Sequence, residues 1–317
     1  SLSLSLSLCL SLSLSQRSSR KKSLSVNKYI QSNTSTGSHV ASMTAYNQLY
    51  KESIKDPEKF WEGLAKENLT WTNPFDAVRF GSLAEGDVAW FVNGKLNACV
   101  NCVDRHIPSR GDKTAIIWES DEPGESKKIT YKELLREVCR VANALKAMGV
   151  RKGDCVTIYM PMVPEIAYTM LACARIGAPH SVVFAGFSST ALASRINNCQ
   201  TKFVVTTDQG KRGGRTLNLK SIVDEAVDQC SVVKTVFVFK RTGADVPFKK
   251  GRDVWMDDLV KSQRPFCPAE SMDSEDTLFL LYTSGSTGAP KGVQHTTAGY
   301  LLWTSTLSCV FEREKKN

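Results

Sequence analysis

The sequence predicts an α/β protein built on a doubly wound, largely parallel sheet, and three observations support this fold class. Between residues 113 and 239, short apolar segments alternate with amphipathic ones, as strands alternate with helices in such proteins. One helix is marked by the capping pattern Thr130-x-x-Glu133 and is ended by Gly149. Further on, a strand-like run leads directly into a loop of glycines and hydroxyls, which is how such sheets commonly bind phosphate.

Each element is predicted from its apolar period and its end signals. The predicted strands are 155–159, 181–184, 203–206, 235–239 and 277–282, and the predicted helices are 130–149, 164–175, 188–197 and 217–229. Pro164 near a helix start and Gly177 beyond its end follow the usual asymmetry of helix ends. Residues 241–276 carry Gly, Pro and mixed charge, and are predicted to be a surface excursion before the last strand.

Composition excludes several functional classes. With 42% apolar and 23% charged residues, the chain has the composition of a globular protein, and no apolar run approaches the ~18 residues of a membrane span. The net charge is +9, but five of the cations lie in the first fifty residues, where no acid occurs, so +4 remains for the rest. A nucleic-acid partner is therefore not expected. Ten scattered cysteines indicate reduced thiols in an intracellular compartment.

The N-terminal hundred residues form two segments of different character. Residues 1–42 are Ser-rich and begin with a Ser-Leu repeat, which predicts low complexity or a mitochondrial transit segment; a translated non-coding repeat ahead of Met43 is the alternative. Residues 43–106 predict a helical start broken at Asp56-Pro57 and then a loop-rich extension packed through its aromatic side chains. Its Cys99-x-x-Cys102 lacks a second ligand pair, so coincidence is favoured over a metal or redox site.

The loop after the predicted strand 277–282 carries the strongest functional signal. It reads Thr283-Ser-Gly-Ser-Thr-Gly-Ala-Pro-Lys291-Gly292, with glycines that permit tight backbone, hydroxyl donors and one cation. A Walker A loop needs Gly before its lysine and Ser or Thr after it, and here Pro290 and Gly292 occupy those places. This loop resembles that of the AMP-forming acyl-adenylate enzymes, and the following Val293-Gln-His-Thr-Thr-Ala-Gly-Tyr-Leu-Leu302 is similar to acetyl-CoA synthetases in particular.

The resemblance assigns roles to the loop. In the family it closes over the β- and γ-phosphates of ATP while a carboxylate attacks the α-phosphorus, and Lys291 is implied as the catalytic cation. The implied ATP-phosphate residues are Thr283, Ser284, Gly285, Ser286, Thr287, Gly288 and Lys291. The implied cofactors are ATP, CoA and Mg²⁺, but the resemblance assigns no metal ligand within this chain.

A second basic loop is predicted between strand 203–206 and helix 217–229. Cations around paired glycines, ahead of a helix N-terminus, fit either a phosphate site or a solvated loop. Acetyl-CoA synthetases carry an Arg-Gly-Gly-Arg element there that contacts the nucleotide end of CoA. The matching residues are Arg212, Gly213, Gly214 and Arg215. His180, in the preceding strand region, is expected to be structural.

The resemblance covers about residues 46–310 and implies residues 107–317 as an incomplete, truncated AMP-binding domain behind the extension 43–106. The implied activity is AMP-forming acetate–CoA ligation, with a propionate or other short-acyl enzyme and a non-catalytic truncated form as alternatives. The family's adenine and acyl pockets and adenylation lysine fall outside the match, so this chain alone is expected to make no acetyl-CoA.

The expected partners are small-molecule substrates, with neither a membrane nor nucleic acid. The mitochondrial matrix is the expected location, with the cytoplasm as the alternative. No motif in the sequence indicates the acyl preference, the true start site or the oligomeric state.

Overall fold

The structure is a computed structural model of the 317-residue chain that describes residues 40, 42–82, 84–121, 123–283 and 290–311, without the side chains of 308–311. The predicted low-complexity segment 1–42 therefore lies almost wholly outside the described residues. The chain divides into two compact units, one comprising residues 1–94 with 298–317 and the other residues 95–297. Across the ranges just given, no helix has the length and apolarity required to cross a bilayer.

The first unit contains two helices, three strands and most of the last helix. Its elements are α1 (Met43–Lys55), α2 (Pro57–Asn68), β1 (Trp71–Asn73), β2 (Ala77–Ser82) and β3 (Asp87–Val92), and α10 (Thr297–Phe311) belongs to it from Ala298 onward. The predicted break at Asp56-Pro57 is confirmed, because Asp56 ends α1 and its carboxylate accepts a hydrogen bond from the Lys59 amide, capping α2.

Aromatic packing holds the β-strands of this unit, as the sequence predicted. The rings of Trp71, Phe75 and Phe91 lie 5.1–5.7 Å apart, centre to centre. Gly94 completes the cluster because a Cβ there would lie 2.6 Å from the Trp71 ring and 2.9 Å from the Phe91 carbonyl oxygen. Trp71, Phe75 and Phe91 therefore serve packing, whereas Phe80 of the same segment is 67% exposed.

The second unit contains the remaining elements. Its helices are α3 (Ala98–Cys102), α4 (Ile107–Arg110), α5 (Tyr131–Ala147), α6 (Pro164–Ile176), α7 (Ser189–Cys199), α8 (Leu219–Val227) and α9 (Met256–Lys261), and a 3₁₀ turn covers Asp104–His106. Its strands are β4 (Lys95–Leu96), β5 (Thr114–Glu119), β6 (Ser126–Thr130), β7 (Val156–Tyr159), β8 (His180–Val182), β9 (Phe203–Thr207), β10 (Gly210–Arg212), β11 (Arg215–Leu217), β12 (Thr235–Phe239), β13 (Asp253–Trp255), β14 (Met272–Asp273), β15 (Thr277–Thr283) and β16 (Lys291–Thr296).

A seven-stranded sheet in the order β13-β12-β9-β7-β8-β15-β16 forms the centre of this unit. Every neighbouring pair is parallel except β15 with β16. Strands β7, β9 and β12 are buried along their whole length, and α7 and α8 pack apolar residues such as Leu192 and Val223 against them. The predicted α/β class with a largely parallel sheet is confirmed.

The predicted helices and strands between residues 130 and 239 are all present, with ends shifted by at most two residues. The capping box is formed at Thr130, whose hydroxyl accepts from the Glu133 amide while the Glu133 carboxylate accepts from the Thr130 amide. Gly177 ends α6 in the left-handed conformation that glycine favours.

The prediction that residues 241–276 are only a surface excursion is wrong. They contribute the edge strand β13 and helix α9, and Asp253 of β13 is buried against Lys220 at 2.8 Å. The sequence concealed this strand because β13 is only three residues long and begins with a charged residue, so it has no alternating apolar pattern. A buried ion pair replaces apolar packing there.

Candidate active site

The two predicted loops follow strands whose carboxyl ends lie at one edge of the large sheet. Because β9, β7, β8 and β15 are parallel, their carboxyl ends meet at the same edge. The hairpin of β10 and β11 follows β9, residues 183–188 follow β8, and residues 284–290 follow β15. This is the edge at which open parallel sheets bind their ligands.

Two of the implied ATP-phosphate residues, Thr283 and Lys291, are described, and they face each other. Thr283 ends β15, Lys291 begins β16, and they are register partners in the antiparallel pair. The connection between them is therefore closed at its base, with the Lys291 side chain exposed to solvent. The other predicted members, Ser284, Gly285, Ser286, Thr287 and Gly288, lie outside the described residues.

Tyr282 occupies the base of this connection. Its ring lies over Gly292, its register partner, where a Cβ would approach the ring to 3.2 Å. Its hydroxyl donates a hydrogen bond to the Asn198 side-chain oxygen and lies 3.0 Å from the Cys199 sulfur. Gly292 is thus explained by packing, and the strand end is tied to the C-terminus of α7.

The predicted basic loop is a short β-hairpin of β10 and β11. Gly213 and Gly214 have φ of 56° and 73°, so both central residues of the turn are left-handed, as the tightest hairpin turns require. This turn makes Arg212 and Arg215 direct register partners. Like charges opposite each other destabilise a strand pair, so an anion bound between them would relieve a real repulsion.

Arg212 is held by an aromatic ring. Its guanidinium carbon lies 4.9 Å from the centre of the Phe184 ring. The Phe184 ring in turn meets the Phe187 ring edge to face at 5.7 Å. Cation–π contact holds the guanidinium in place, and its N–H groups make no hydrogen bond to the described residues.

The row of cations and rings continues to the phosphate loop. Arg195 of α7 lies over the Phe187 ring at 4.9 Å and over the Tyr282 ring at 5.4 Å. The Tyr159 hydroxyl donates a 2.8 Å hydrogen bond to the Phe187 carbonyl, which fixes this segment to the end of β7. The arginine hairpin and the base of the phosphate loop are therefore joined by continuous side-chain contact.

The sequence analysis did not single out the members of this row between the two motifs. They are Phe184, Phe187, Arg195 and Tyr282. No spacing marks them, because they come from a loop, a helix and a strand end. The one available signal was the position of Tyr282 directly before the loop.

Asp208 fixes the start of the hairpin. Its carboxylate is buried and accepts hydrogen bonds from the backbone amides of Gln209, Arg241, Thr242 and Gly243. These four amide groups satisfy the acceptor oxygens of Asp208, and three of them tie the hairpin to the segment that follows β12. Asp208 is thereby occupied by the protein backbone.

Arg241 also lies over an aromatic ring, that of Trp118 at 5.3 Å, but its N–H groups are already bonded. It makes a two-pronged ion pair with Glu125, at 2.9 and 2.7 Å, and donates to the Ser120 hydroxyl. The hydrogen bonds from Arg241 and Ser120 lower the pKa of Glu125 to about 2. Its donors are committed to a carboxylate, so we assign Arg241 to structure.

The remaining polar candidates also have structural surroundings. His180 is buried, stacks on Phe279 at 5.7 Å, and burial lowers its pKa to about 4. Cys99 of the Cys-x-x-Cys pair lies 3.4 Å from the Arg175 guanidinium, and burial raises its pKa. Within the described ranges, no three His, Cys, Asp or Glu side chains are placed to hold a metal ion.

Comparison with protein families agrees with this geometry. The family model described as "AMP-binding enzyme" matches residues 103–316, and the model described as "Acetyl-coenzyme A synthetase N-terminus" matches residues 46–102. The chain belongs to the AMP-binding enzyme family.

Similar proteins refine the placement within the AMP-binding family. Curated proteins named acetyl-coenzyme A synthetase from Penicillium chrysogenum and Phycomyces blakesleeanus are 56% and 54% identical over 267 and 282 residues. These matches cover 84% and 88% of this chain but only 40% and 42% of the relatives, so the chain spans well under half of their length. A solved structure, acetoacetyl-CoA synthetase from Streptomyces lividans, shares the fold with a TM-score of 0.74 at 24% identity, over 83% of this chain and 40% of that one.

Proposed function

We propose that this chain carries the triphosphate-binding and CoA-binding parts of an AMP-forming acetate–CoA ligase. The observation that supports this most directly is the continuous row from Arg212 to Tyr282, which joins the two predicted phosphate sites at one sheet edge. A reaction that uses ATP and then CoA needs two phosphate-binding segments around one reaction centre. The family match and the relatives' names agree with this activity.

The proposed reaction has two steps. An acetate oxygen attacks the α-phosphorus of ATP, the bond to the bridging oxygen breaks, and pyrophosphate leaves. The CoA sulfur, having lost its proton, then attacks the acetyl carbon, and AMP leaves with the electrons of the carbon–oxygen bond. Thr283 and Lys291, with Ser284 to Gly288 between them, would bind the triphosphate, and Lys291 would stabilise the charge that develops on pyrophosphate.

Arg212 and Arg215 would act in the second step by binding the phosphates at the nucleotide end of CoA. The turn at Gly213 and Gly214 sets their spacing, and stacking on Phe184 orients Arg212. Planar guanidinium groups suit phosphate oxygens because two N–H donors can bind at once.

Magnesium would reach this site bound to ATP. The described side chains offer no three-ligand group, whereas Mg²⁺ in nucleotide sites is held largely by substrate phosphates and water. Bound there, it would supply positive charge against the phosphate oxygens. The residues of this chain would position the triphosphate itself.

A chimera tests the proposed activity. The matching 267 residues of the Penicillium relative are replaced by those of this chain, and acetate-dependent ATP–pyrophosphate exchange and acetyl-CoA formation are measured. We expect both reactions in the chimera, with acetate preferred over propionate, and neither in the 317-residue chain alone. A chimera that folds and binds ATP but performs no exchange would contradict the proposal.

The cellular location is a separate proposal. We propose that residues 1–42 direct the chain to the mitochondrial matrix, because they are rich in Ser, contain Arg and Lys, and lack acidic residues. A fluorescent protein fused after residue 42 should enter mitochondria, and a variant with the four cations of residues 17–22 changed to Gln should not. A cytoplasmic signal from the unaltered fusion would refute this.

A further inference from the structure

Two cysteines meet beside the base of the phosphate loop. Cys155 directly precedes β7, Cys199 is the last residue of α7, and their thiols are joined by a side-chain hydrogen bond. Two residues further along each segment, the hydroxyls of Thr157 and Thr201 lie 3.1 Å apart, so the two segments approach each other over several residues.

Cys199 lies in surroundings that favour the thiolate. The hydrogen bond from Cys155 is the largest influence, the Tyr282 hydroxyl and the nearby Arg195 charge add to it, and together they lower the pKa of Cys199 against the effect of burial. The same pairing and burial raise the pKa of Cys155. Of the two thiols, Cys199 therefore loses its proton more readily.

The Tyr282 hydroxyl can form a hydrogen bond with Cys199 whether that residue is a thiol or a thiolate. When Cys199 is a thiolate, the phenol can donate its single proton to the sulfur 3.0 Å away. When Cys199 is a thiol, its S–H can donate to the phenol oxygen while the phenol donates to Asn198. The change between the two states requires the phenol proton to turn from Asn198, which is exposed to solvent, to the Cys199 sulfur.

The other described cysteines lack this combination. Cys99, Cys139, Cys173, Cys230 and Cys267 are buried. Cys102 is half-buried like Cys155 and Cys199, but burial raises its pKa to about 11. Cys102 therefore provides a matched comparison in which exposure is similar and ionisation differs.

We propose that Cys155 and Cys199 form a peroxide-sensitive dithiol that closes to a disulfide at the base of the loop connecting β15 and β16. The Cys199 thiolate attacks one oxygen of hydrogen peroxide, the O–O bond breaks, and the departing hydroxide takes a proton to become water. The Cys155 sulfur then attacks the sulfenic sulfur of Cys199, the S–O bond breaks, and a second water leaves with the Cys155 proton. Two thiols are oxidised and one peroxide is reduced.

Formation of the Cys155–Cys199 disulfide changes the contacts of Tyr282. A disulfide sulfur is a much weaker acceptor than a thiolate, so the Tyr282 hydroxyl loses Cys199 as a partner and keeps Asn198. Tyr282 stands two positions before Ser284, the first residue of the loop that lies outside the described ranges. The disulfide would form whether or not that loop binds nucleotide, so its detection does not depend on the proposed ligase activity.

Alkylation tests the reactivity of the pair. Iodoacetamide reacts with the thiolate, so a thiol whose pKa is lowered should react faster than one whose pKa is raised. The reduced 317-residue chain is treated with iodoacetamide and digested. We expect Cys199 to be labelled faster than Cys102, and equal rates would overturn the proposal.

Oxidation by hydrogen peroxide tests whether Cys155 and Cys199 form a disulfide. After treatment of the native chain with hydrogen peroxide, non-reducing tryptic mapping should show residues 153–175 linked to residues 196–202, and dithiothreitol should release them. Because the first peptide also contains Cys173, the mapping is repeated with Cys173→Ser, which must keep the link.

Single variants complete the test. Cys155→Ser should leave Cys199 to proceed to the sulfinic and sulfonic acids, whereas Cys102→Ser should preserve the link. A predominant Cys99–Cys102 disulfide, or over-oxidation of Cys199 in the unaltered chain without any link, would overturn the proposal. Since the decisive mapping is made on the unaltered protein, a variant that fails to fold does not remove the test.

Discussion

Removing the hairpin arginines should impair CoA use and spare adenylation. In the chimera defined above, Arg212→Ala and Arg215→Ala each delete a guanidinium at the hairpin turn, where the two residues are register partners. Neither substitution touches Thr283 or Lys291. The expected effect therefore falls on the apparent KM for CoA.

The size of the effect follows from the surroundings of the two side chains. A hydrogen bond to a charged group contributes about 1.5–3 kcal/mol, and the exposure of both arginines favours the lower value. At about 1.5 kcal/mol each, a single substitution should raise the KM for CoA about tenfold, and the double substitution about 100-fold. Arg212→Ala should have the larger effect, because stacking on Phe184 already restricts that side chain before CoA binds.

Lys211→Ala is the matched control. It removes the same charge from the same strand, but successive strand residues point to opposite faces, so Lys211 faces away from the Arg212 side. Acetyl-CoA formation is measured against CoA concentration, and ATP–pyrophosphate exchange is measured without CoA. A KM for CoA that rises equally in Lys211→Ala, or an exchange rate that falls with the KM effect in the arginine variants, would refute the assignment.

Three further predictions concern the loop, the buried ion pair and the buried histidine. Lys291→Ala should lower acetate-dependent ATP–pyrophosphate exchange in the chimera by at least about tenfold with little change in the KM for acetate, and an unchanged rate would refute its role. Lys220→Met should lower the free energy of unfolding by about 3 kcal/mol, because Asp253 is left buried with fewer partners, whereas Lys261→Met at an exposed pair should cost under about 0.5 kcal/mol; equal losses in urea titrations would contradict this. The pKa of His180 is lowered from 6.5 to about 4, so the unfolded chain binds the proton first on acidification, and this group should remove about 3 kcal/mol of stability between pH 6.5 and 4; His180→Gln should flatten that dependence.

The sequence predicted the parts of the fold that carry long, regular patterns. Helix α5 has both a capping box and an extended apolar stripe, and strand β12 is an unbroken apolar run, so each was placed closely. Strand β13 was missed because its first residue, Asp253, is buried by pairing with Lys220, and nothing local marks a partner thirty-three residues away. A local pattern of apolar residues cannot reveal that a buried charge is paired with a residue far away in the sequence.

The candidate site was predictable where backbone chemistry defines it. The paired glycines at residues 213 and 214 and the arginines beside them were identified as a basic loop, and the structure forms a hairpin there. The contacts that join the hairpin to β15 come from Phe184, Phe187 and Arg195, which lie on separate elements. Their positions depend on strand order, and strand order was not predicted.

The partner of each arginine distinguishes those available to a ligand from those that hold the fold. Arg175 and Arg241 each donate two hydrogen bonds to one carboxylate, which uses the N–H groups that a phosphate would need. Arg212 lies over the Phe184 ring at 4.9 Å, and in the part of the chain that the structure describes it donates no side-chain hydrogen bond. The ring contact therefore restrains a group that still has five donors to offer. A cation held in this way loses little freedom on binding an anion, so the aromatic residues at this sheet edge contribute to phosphate binding without touching the phosphate.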